Sequence, residues 1–382
     1  MKILHICLAC FYFEGMGYHE NLLPQNHVRL GYEVFVLTSD FNCANKNNTI
    51  NKLGEEYINS DGIHVKFIKK SKRYGYYSRY NDFEGVYDEI KNINPEIIFV
   101  HGGQFIAIKD VIKYIKNHPK TKLYIDQHGD YYNMKVDSIK TKLIQHWVYG
   151  HWIRKAIPFT SKFWGVTPWR CQYLNEVYGV PKQKIDLLVM GGDDDKIRFD
   201  DMPRLRKDIR EELSLSDKDF VIVTGGRIDR AKNIHLLMQA VSELEGKAKL
   251  IVFGQPNNEM QNTINELSKD GNIRFLGWIP SDKAYDYFLA SDLAVFPGTH
   301  SVLWEQACSC GIPCVFKDWE GMHHIDVGGN CEFLHKDSTE EIKEVLSEII
   351  GDKEKYNEMK RIAEESKKDF FYSEIAKKAI EQ

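Results

Sequence analysis

Short apolar segments alternate with helix-length amphipathic stretches along nearly the whole chain. This alternation is typical of α/β proteins, in which parallel strands form a sheet and helices cover both of its faces. The predicted strands lie at 2–10, 33–38, 64–68, 96–101, 122–126, 163–166, 185–190, 220–224, 249–253, 273–276, 293–296 and 313–316. We therefore predict the α/β class, with one doubly wound parallel sheet in each half of the chain.

The size, composition and charge of the chain indicate two domains. Its 382 residues, 43% of them hydrophobic, can bury two cores of ordinary domain size. Residues 1–190 carry 25 Lys and Arg against 18 Asp and Glu, whereas the remainder carries 26 against 37. A glycine- and aspartate-rich loop at 191–195 is the expected hinge. We predict domains at 1–192 and 193–360, followed by a C-terminal helix at 361–382.

The apolar segments and the cysteines favour a cytoplasmic protein. No apolar run approaches the ~18 residues that a membrane span needs. The first apolar run is interrupted by His5 and lacks a small-residue cleavage site, so it is interpreted as a strand and not as a signal peptide. Eight cysteines are scattered without paired metal spacing, which fits a reducing compartment. Cys7 and Cys10 lack a second pair, and core packing is the favoured interpretation over zinc or redox chemistry.

A loop in the second half has the residues of an anion site. The apolar run 220–224 ends in two glycines, and a helix-compatible sequence begins at Asn233. Between them, Arg227 offers a planar set of donors and Lys232 a compact cation, and a helix N-terminus adds free N–H groups. Together these groups can hold a pyrophosphate.

A carboxylate follows some seventy residues later. Ser301 is the expected N-cap of a short buried helix at 302–310, which places Glu305 on its second turn. A carboxylate near two cations can accept hydrogen bonds from a pair of ribose hydroxyls. The alternative is that Arg227, Lys232 and Glu305 are ordinary surface charges.

Other candidate groups follow predicted strands, where ligands of open parallel sheets bind. Gly15 and Gly17 follow the first strand, and a plain tight turn explains them about as well. His128 and Asp130 follow the strand ending at Asp126, with the alternative that they bond each other and the backbone to shape a turn. The remaining candidates are His101 and Gln104 after the fourth strand, and Trp278 and Ile279 after a strand of the second half.

At these residues the chain resembles the retaining GT-B glycosyltransferases of family 4, which build lipopolysaccharide, capsule and other surface glycans. The matching residues are Gly226-Arg227-Ile228, Lys232 and the run from Glu305 to Val315. The family has a first Glu eight residues before Glu305, and here that position is Pro297. The segment between them is about four residues shorter than the common pattern, and Thr299, His300 or the backbone of Ser301 is expected to fill that space.

The resemblance implies two Rossmann-like domains facing a central cleft, with the C-terminal helix crossing back to the first domain. It implies a retaining, metal-independent transferase that uses a nucleotide sugar as substrate and needs no cofactor, with UDP-sugars favoured over GDP-sugars. The implied donor-binding residues are Gly15, Gly17, Gly226, Arg227, Lys232, Trp278, Ile279, Thr299, His300, Ser301, Val302 and Glu305. The implied catalytic residues are Arg227, Lys232 and His128. The acceptor side is expected at His101, Gln104 and Asp130.

A metal at Asp193-Asp194-Asp195 is not expected, because a charged hinge loop is the simpler explanation and two cations already neutralise phosphate. Residues 135–158 form a basic segment with Trp147 and Trp152, which suits an anionic membrane surface or, equally, a solvated helix face. Polar loops at 45–60 and 71–80 are expected around the acceptor. Neither half is basic enough for nucleic acid.

The expected partners are a nucleotide-sugar donor and a glycan or lipid-linked acceptor. Two other functions remain open from the sequence. One is a nucleotide-sugar epimerase or hydrolase on the same fold. The other is a non-catalytic nucleotide-sugar-binding subunit, which the missing first Glu makes conceivable.

Overall fold

The computed structural model describes residues 1–10, 12, 14–39, 56–71, 82–134 and 139–381. Contacts divide the chain into two compact units. The first comprises Met1–Val189 with Ile375–Gln382, and the second comprises Met190–Glu374.

The first unit contains an eight-stranded sheet within the described residues. Its strands are β1 (Lys2–Cys7), β2 (Glu33–Thr38), β3 (Glu56–Ile58), β4 (His64–Phe67), β5 (Ile97–His101), β6 (Lys122–Gln127), β7 (Lys162–Gly165) and β8 (Ile185–Leu187). The order is β3-β4-β2-β1-β5-β6-β7-β8. Neighbouring strands are parallel except β3, which is antiparallel to β4.

Both faces of this sheet are covered. Leu4 and Ile6 of β1 belong to one hydrophobic cluster, whereas Cys7 belongs to another. Alternate side chains of a strand point to opposite faces, so two clusters on one strand mean two buried faces. The helices of this unit are α1 (His19–Arg29), α2 (Val86–Ile93), α3 (Ile108–Asn117), α4 (Ile139–Leu143), α5 (Gly150–Ala156) and α6 (Pro168–Glu176).

The second unit contains a fully parallel six-stranded sheet. Its strands are β9 (Val221–Gly225), β10 (Lys249–Phe253), β11 (Ile273–Gly277), β12 (Leu293–Phe296), β13 (Cys314–Lys317) and β14 (Cys331–Leu334), in the order β11-β10-β9-β12-β13-β14. Its helices are α7 (Met202–Glu212), α8 (Ile234–Ser242), α9 (Gln261–Leu267), α10 (Lys283–Ala290), α11 (Leu303–Ser309), α12 (Thr339–Gly351) and α13 (Lys353–Ser366). The last helix, α14 (Tyr372–Ile380), begins in the second unit and continues into the segment Ile375–Gln382 that groups with the first unit. Each βα connection returns the chain to start another parallel strand, as the alternation predicts.

The largest differences between the predicted and the observed strands concern β1, β3, β8 and β14. β1 ends at Cys7 and not at residue 10, and β8 ends at Leu187 and not at residue 190. β3 and β14 were not predicted, and β3 occupies the end of the segment 45–60 that was expected to be a loop. Residues 45–55 and 72–80 of the two expected loops, and residues 135–138 of the basic segment, lie outside the described residues.

The division between the units falls at 189/190, three residues before the expected boundary at 192/193. The segment that groups with the first unit begins at Ile375, later than the expected 361. Its last residues are fixed there by backbone carbonyls: Tyr124 Oη donates to Ile380 O at 3.0 Å, and Trp164 Nε1 donates to Ala379 O at 3.1 Å.

The expected hinge loop is tied into the second unit. Asp193 is buried, its backbone N–H donates to Tyr285 Oη at 2.9 Å, and Asp194 Oδ1 accepts from Ser373 N at 3.0 Å. Among the described residues, none of the helices has the length and apolarity required to cross a bilayer.

Candidate functional site

Lys232 lies in the loop between β9 and α8 of the second unit, where the sequence predicts an anion site. It ends a 3₁₀ turn, Arg230–Lys232, between β9 and α8. Its Nζ donates to the carbonyl oxygens of Thr299 at 2.6 Å and His300 at 2.9 Å. Burial lowers the pKa of Lys232 to about 8. The cation is thus held in a fixed place with little water around it, where an anion would interact with it strongly.

Two glycines allow the loops around Lys232 to approach. A Cβ on Gly298 would lie 2.3 Å from Ala231 O and 2.4 Å from Lys232 Cα, distances that no side chain tolerates. Gly226 has φ +112°, and a Cβ there would also lie 3.0 Å from Leu303 Cδ1 at the start of α11. Positive φ and close backbone approach both favour glycine. The motif glycines therefore bring the β9 loop, the β12 loop and α11 together.

Glu305 is buried in the first turn of α11, one turn earlier than expected. Its Oε1 lies 2.8 Å from His300 Nε2 and 3.1 Å from His324 Nε2. Although burial opposes ionisation, these two rings hold the pKa of Glu305 down to about 2. Oε2 is buried and has no hydrogen-bond partner among the described residues. A buried carboxylate oxygen without a donor is costly, and a ligand hydroxyl would satisfy it.

One local expectation near Glu305 is wrong. Ser301 is not the N-cap: Val302 precedes α11 without a side-chain cap, and the Ser301 carbonyl accepts from Trp304 N at 3.0 Å. The hydrogen-bond partners of Glu305 among the described residues are His300 and His324. Lys232 is nevertheless joined to Glu305 through His300, whose carbonyl accepts from the lysine and whose ring contacts the carboxylate.

The side chains of Arg227 and Trp278 are exposed to solvent. The Arg227 side chain is 76% exposed, with its Nε 3.1 Å from Asp229 Oδ2. Trp278 is 70% exposed and directly follows β11, and Ile279 beside it is half-buried. Because β9, β10 and β11 are parallel, Trp278 lies at the same end of the sheet as the β9 loop.

In the first unit, Asp126 at the end of β6 is surrounded by imidazoles. Its Oδ2 lies 2.7 Å from His101 Nδ1, 3.3 Å from His128 Nε2 and 3.5 Å from His19 Nε2. Its Oδ1 accepts from Gly102 N at 3.0 Å. Burial opposes both charges, yet the Asp126 carboxylate raises the pKa of His101 to about 9 and also raises the pKa of His128.

A chain of buried imidazoles continues from His101 to the C-terminal helix. His101 Nε2 lies 3.0 Å from His5 Nδ1, His5 Nε2 lies 2.9 Å from His27 Nδ1, and His27 Nε2 lies 2.9 Å from Ala376 O. A carbonyl only accepts, so His27 donates from Nε2 and accepts at Nδ1. His5 Nε2 therefore donates to His27 Nδ1, which leaves His5 Nδ1 to accept from His101 Nε2. Burial, the largest influence, lowers the pKa of His5 and of His27, the latter to about 4, so both rings are neutral.

The other candidates of the first unit have mixed surroundings. Asp130 is buried, and its Oδ1 accepts from Tyr132 N and Asn133 N, while Oδ2 lies 3.2 Å from an Arg170 nitrogen. Its carboxylate therefore shapes the turn, although with the backbone and not with His128. Gln104 donates to Gln127 Oε1 at 2.8 Å.

A cavity of about 310 Å³ opens beside the cluster and is lined by His101, Gln104 and His128, among others. The His128 side chain is 29% exposed, whereas those of His101 and Asp126 are fully buried. Gly15 is exposed with φ +76° and Gly17 is half-buried. The expectation that the Gly15 loop faces the donor phosphate stays a prediction.

Sequence reasoning missed several residues that the structure brings into these sites. They are Asp126, His5, His19 and His27 in the first unit and His324 in the second. His19 stands two residues after Gly17, and Asp126 ends a predicted strand two residues before His128, which were the available signals. His324 follows β13 in a segment with no motif.

Comparison with known proteins relates the second unit to one family. Residues 206–366 match the family Glycosyl transferases group 1. This match covers less than half of the chain and lies within the second unit. A Campylobacter jejuni protein is 31% identical over 121 residues, and its name is N-acetylgalactosamine-N,N'-diacetylbacillosaminyl-diphospho-undecaprenol 4-alpha-N-acetylgalactosaminyltransferase. That alignment covers 30% of this chain and 32% of the relative, so the chain matches about a third of the relative's length.

Solved structures match across both units. A glycosyltransferase from Rickettsia africae aligns with a TM-score of 0.70 and 14% identity, covering 99% of this chain and 96% of that one. Anabaena HepE in complex with UDP aligns with a TM-score of 0.70 and 16% identity, and the alignment covers 99% of this chain and 98% of HepE. At these identities the likeness concerns the fold. It confirms the predicted two-domain α/β architecture with parallel sheets, which is that of GT-B glycosyltransferases.

Proposed function

We propose that the protein is a retaining glycosyltransferase that moves a sugar from a nucleotide-diphosphate donor to a glycan or lipid-linked acceptor in cell-surface polysaccharide synthesis. One observation carries this proposal: a half-buried cation and a buried carboxylate are joined through the same residue, His300. Lys232 provides the positive charge, and one oxygen of Glu305 has no hydrogen-bond partner in the part of the chain that the structure describes. A nucleoside diphosphate carries the matching groups, an anion and a pair of ribose hydroxyls.

The donor would be bound mainly by the second unit. Lys232 and the exposed Arg227 would take the diphosphate, and Glu305 Oε2 would accept from a ribose hydroxyl. Trp278 and Ile279 would contact the base. The space that the family gives to its first Glu would be filled by Thr299, His300 or the backbone of Ser301, and Val302 would lie beside the donor.

Transfer would depend on stabilising the leaving diphosphate as the anomeric carbon becomes oxocarbenium-like. Cations fixed in advance where negative charge develops lower that barrier without reorganisation. Lys232 is such a cation, because two carbonyl oxygens already orient its Nζ. With retention, the departing phosphate would help to deprotonate the acceptor on the same face. No resident metal or cofactor is part of this mechanism, and His128 would contact the transferred sugar.

The comparisons also favour a class of donor and acceptor. The Campylobacter jejuni relative is named for a diphospho-undecaprenol substrate, and Anabaena HepE was solved with UDP. We propose a UDP-sugar donor, favoured over a GDP-sugar, and a lipid-linked glycan acceptor. The enzyme would work in the cytoplasm at the inner face of the membrane. The exposed Trp147 and Leu143 in the basic segment give it an apolar contact for that surface.

The test is a transfer assay with the full chain, labelled UDP-sugars and a panel of polyprenyl-diphosphate glycans. The expected result is a labelled lipid product, with donor consumed only when an acceptor is present. Donor consumption without an acceptor would instead indicate an epimerase or hydrolase. Nucleotide binding without turnover on the whole panel would indicate a non-catalytic subunit.

A further inference from the structure

The side chains of His19, His101, Asp126 and His128 form a compact group in the first unit, and the proposed transfer reaction uses only His128 of the four. They come from α1, β5, β6 and the loop after β6, and one ligand-type atom from each lies within 4.8 Å of the other three. Three of the side chains are buried and the fourth, His128, is partly exposed. We propose that these four residues form a binding site for a divalent transition-metal ion of the zinc type, with three imidazole nitrogens and one carboxylate oxygen as ligands.

Two of the three spacings around Asp126 match those of such an ion. Zinc bonds of about 2.0–2.1 Å in tetrahedral geometry place ligand atoms about 3.3 Å apart. From Asp126 Oδ2, His128 Nε2 lies at 3.3 Å and His19 Nε2 at 3.5 Å, whereas His101 Nδ1 lies at the hydrogen-bond distance of 2.7 Å and would move outward when an ion replaces its proton. The donor set also fits, because imidazole suits zinc, iron, nickel and copper, and one carboxylate offsets part of the charge.

The hydrogen bonds around His101 direct its Nδ1 at Asp126. Ala376 O fixes the tautomers of His27 and His5, so that His101 donates from Nε2 to His5. The Nδ1 of His101 then faces Asp126 Oδ2 and can bind either a proton or a metal ion. In known sites a ligating histidine donates its other N–H to a neighbouring group, which fixes the ring. His101 already has this arrangement, because its Nε2 donates to His5.

Asp126 is held in the same way, and the group has an entry route. Gly102 N donates to Asp126 Oδ1, which leaves Oδ2 directed at the three imidazoles. The cavity of about 310 Å³ reaches His101 and His128, so an ion can enter from that side. An ion would occupy Nε2 of His128 and leave only Nδ1 of that ring for a substrate.

No sequence motif indicates this site. Its residues come from three separate segments of the chain, and the spacing from Asp126 to His128 alone is not a metal motif. The site lies in the first unit, outside the residues that match the glycosyltransferase family. Its occupancy can therefore be tested without any nucleotide or acceptor.

The experiment titrates Co²⁺, as a spectroscopic substitute for Zn²⁺, into the metal-free full chain without a histidine tag. We expect one equivalent to bind with the intense visible absorption of tetrahedral Co²⁺, and Zn²⁺ to displace it. His19→Gln and, separately, His128→Gln should each lower the Co²⁺ affinity at least about tenfold. His151→Gln, a change of the same kind at an exposed histidine of the first unit, should leave the affinity unchanged.

Circular dichroism of each variant checks that it folds. If His19→Gln does not fold, the test depends on His128→Gln. The absence of stoichiometric Co²⁺ binding to the wild-type chain would overturn the proposal and assign the position to a proton. Equal affinities in wild type, His128→Gln and His151→Gln would overturn it as well.

Discussion

The most informative single residue is Lys232, because its environment makes a testable link between pH and nucleotide binding. Burial lowers its pKa to about 8 in the free protein, so it loses its charge at a mildly alkaline pH. A bound diphosphate favours the charged form. The apparent affinity for UDP should therefore be constant below about pH 7 and fall roughly tenfold between pH 7 and pH 9. Isothermal titration at a series of pH values measures this directly.

Lys232→Arg provides the control, since a guanidinium stays charged throughout this range. Its UDP affinity is expected to be lower than that of wild type and nearly independent of pH. If wild type and variant show the same alkaline loss, Lys232 is not the group that titrates.

Glu305 tests the ribose contact. Glu305→Gln keeps the size of the side chain but removes the charge that accepts from a ribose hydroxyl. We expect it to weaken UDP binding by about 1.5–3 kcal/mol, which is roughly ten- to a hundredfold in affinity. Inorganic pyrophosphate has no ribose and should lose less than about threefold. Equal losses for the two ligands in calorimetry would show that Glu305 does not act on the ribose.

The sequence predicted some of the individual residues of the site and missed others. Lys232 and Glu305 came from a linear motif, and the structure joins them through His300. The cap at Ser301 was wrong, because a capping residue and a loop serine look alike before the loop geometry is known. His324 and the residues around Asp126 were missed because folding brings together side chains from separate segments, and a linear pattern does not record that.

Among the structural elements, the loop between β12 and α11 depends on Gly298. Gly298→Ala would place a methyl group 2.3 Å from Ala231 O and 2.4 Å from Lys232 Cα. We expect the loop to move away from Lys232, lowering the free energy of unfolding by about 1–3 kcal/mol and weakening UDP binding. Thermal unfolding and calorimetry measure the two effects.

Gly271→Ala is the matched control in the same unit, because no atom lies within 4 Å of the position of its Cβ. It should change neither quantity appreciably. A Gly298→Ala protein with the stability and UDP affinity of wild type would mean that the close loop approach is unimportant.

The helical segment from α4 to α5 carries the proposed membrane contact. A π-helical stretch, Ile144–Tyr149, connects α4 to α5 and carries Trp147, whose surface is 65% exposed. If this face meets lipid, Trp147→Ala should weaken binding to anionic phospholipid vesicles by roughly three- to tenfold. Co-sedimentation with vesicles measures the binding.

Trp278→Ala removes an equally exposed tryptophan from the second unit and should leave vesicle binding unchanged. Equal effects of the two substitutions, or no binding by wild type, would assign residues 139–156 to an ordinary solvated helix.

Strand positions were predictable where strands are buried, and less so elsewhere. β2, β10 and β12 have the predicted bounds, because continuous apolar runs mark strands covered on both faces. β3 has only three residues, none of them buried, so its apolar signal is weak. β1 was predicted too long because its pairing with β2 ends at Cys7, and an apolar run does not tell where pairing stops.

For the whole molecule, alternation of strands and helices was sufficient to predict the architecture. Two α/β units with parallel sheets follow from that pattern, and the solved structures match them end to end. The family match is confined to residues 206–366, so it bears on the second unit. The family match does not reach the first unit. There the structure adds the histidine cluster around Asp126, which the sequence did not indicate.

A structure determined with UDP bound will show whether one nucleoside diphosphate occupies the site around Lys232 and Glu305. We expect a diphosphate oxygen within about 3 Å of Lys232 Nζ and a ribose hydroxyl within about 3 Å of Glu305 Oε2. UDP bound elsewhere, or bound without a donor to Glu305 Oε2, would exclude this binding mode.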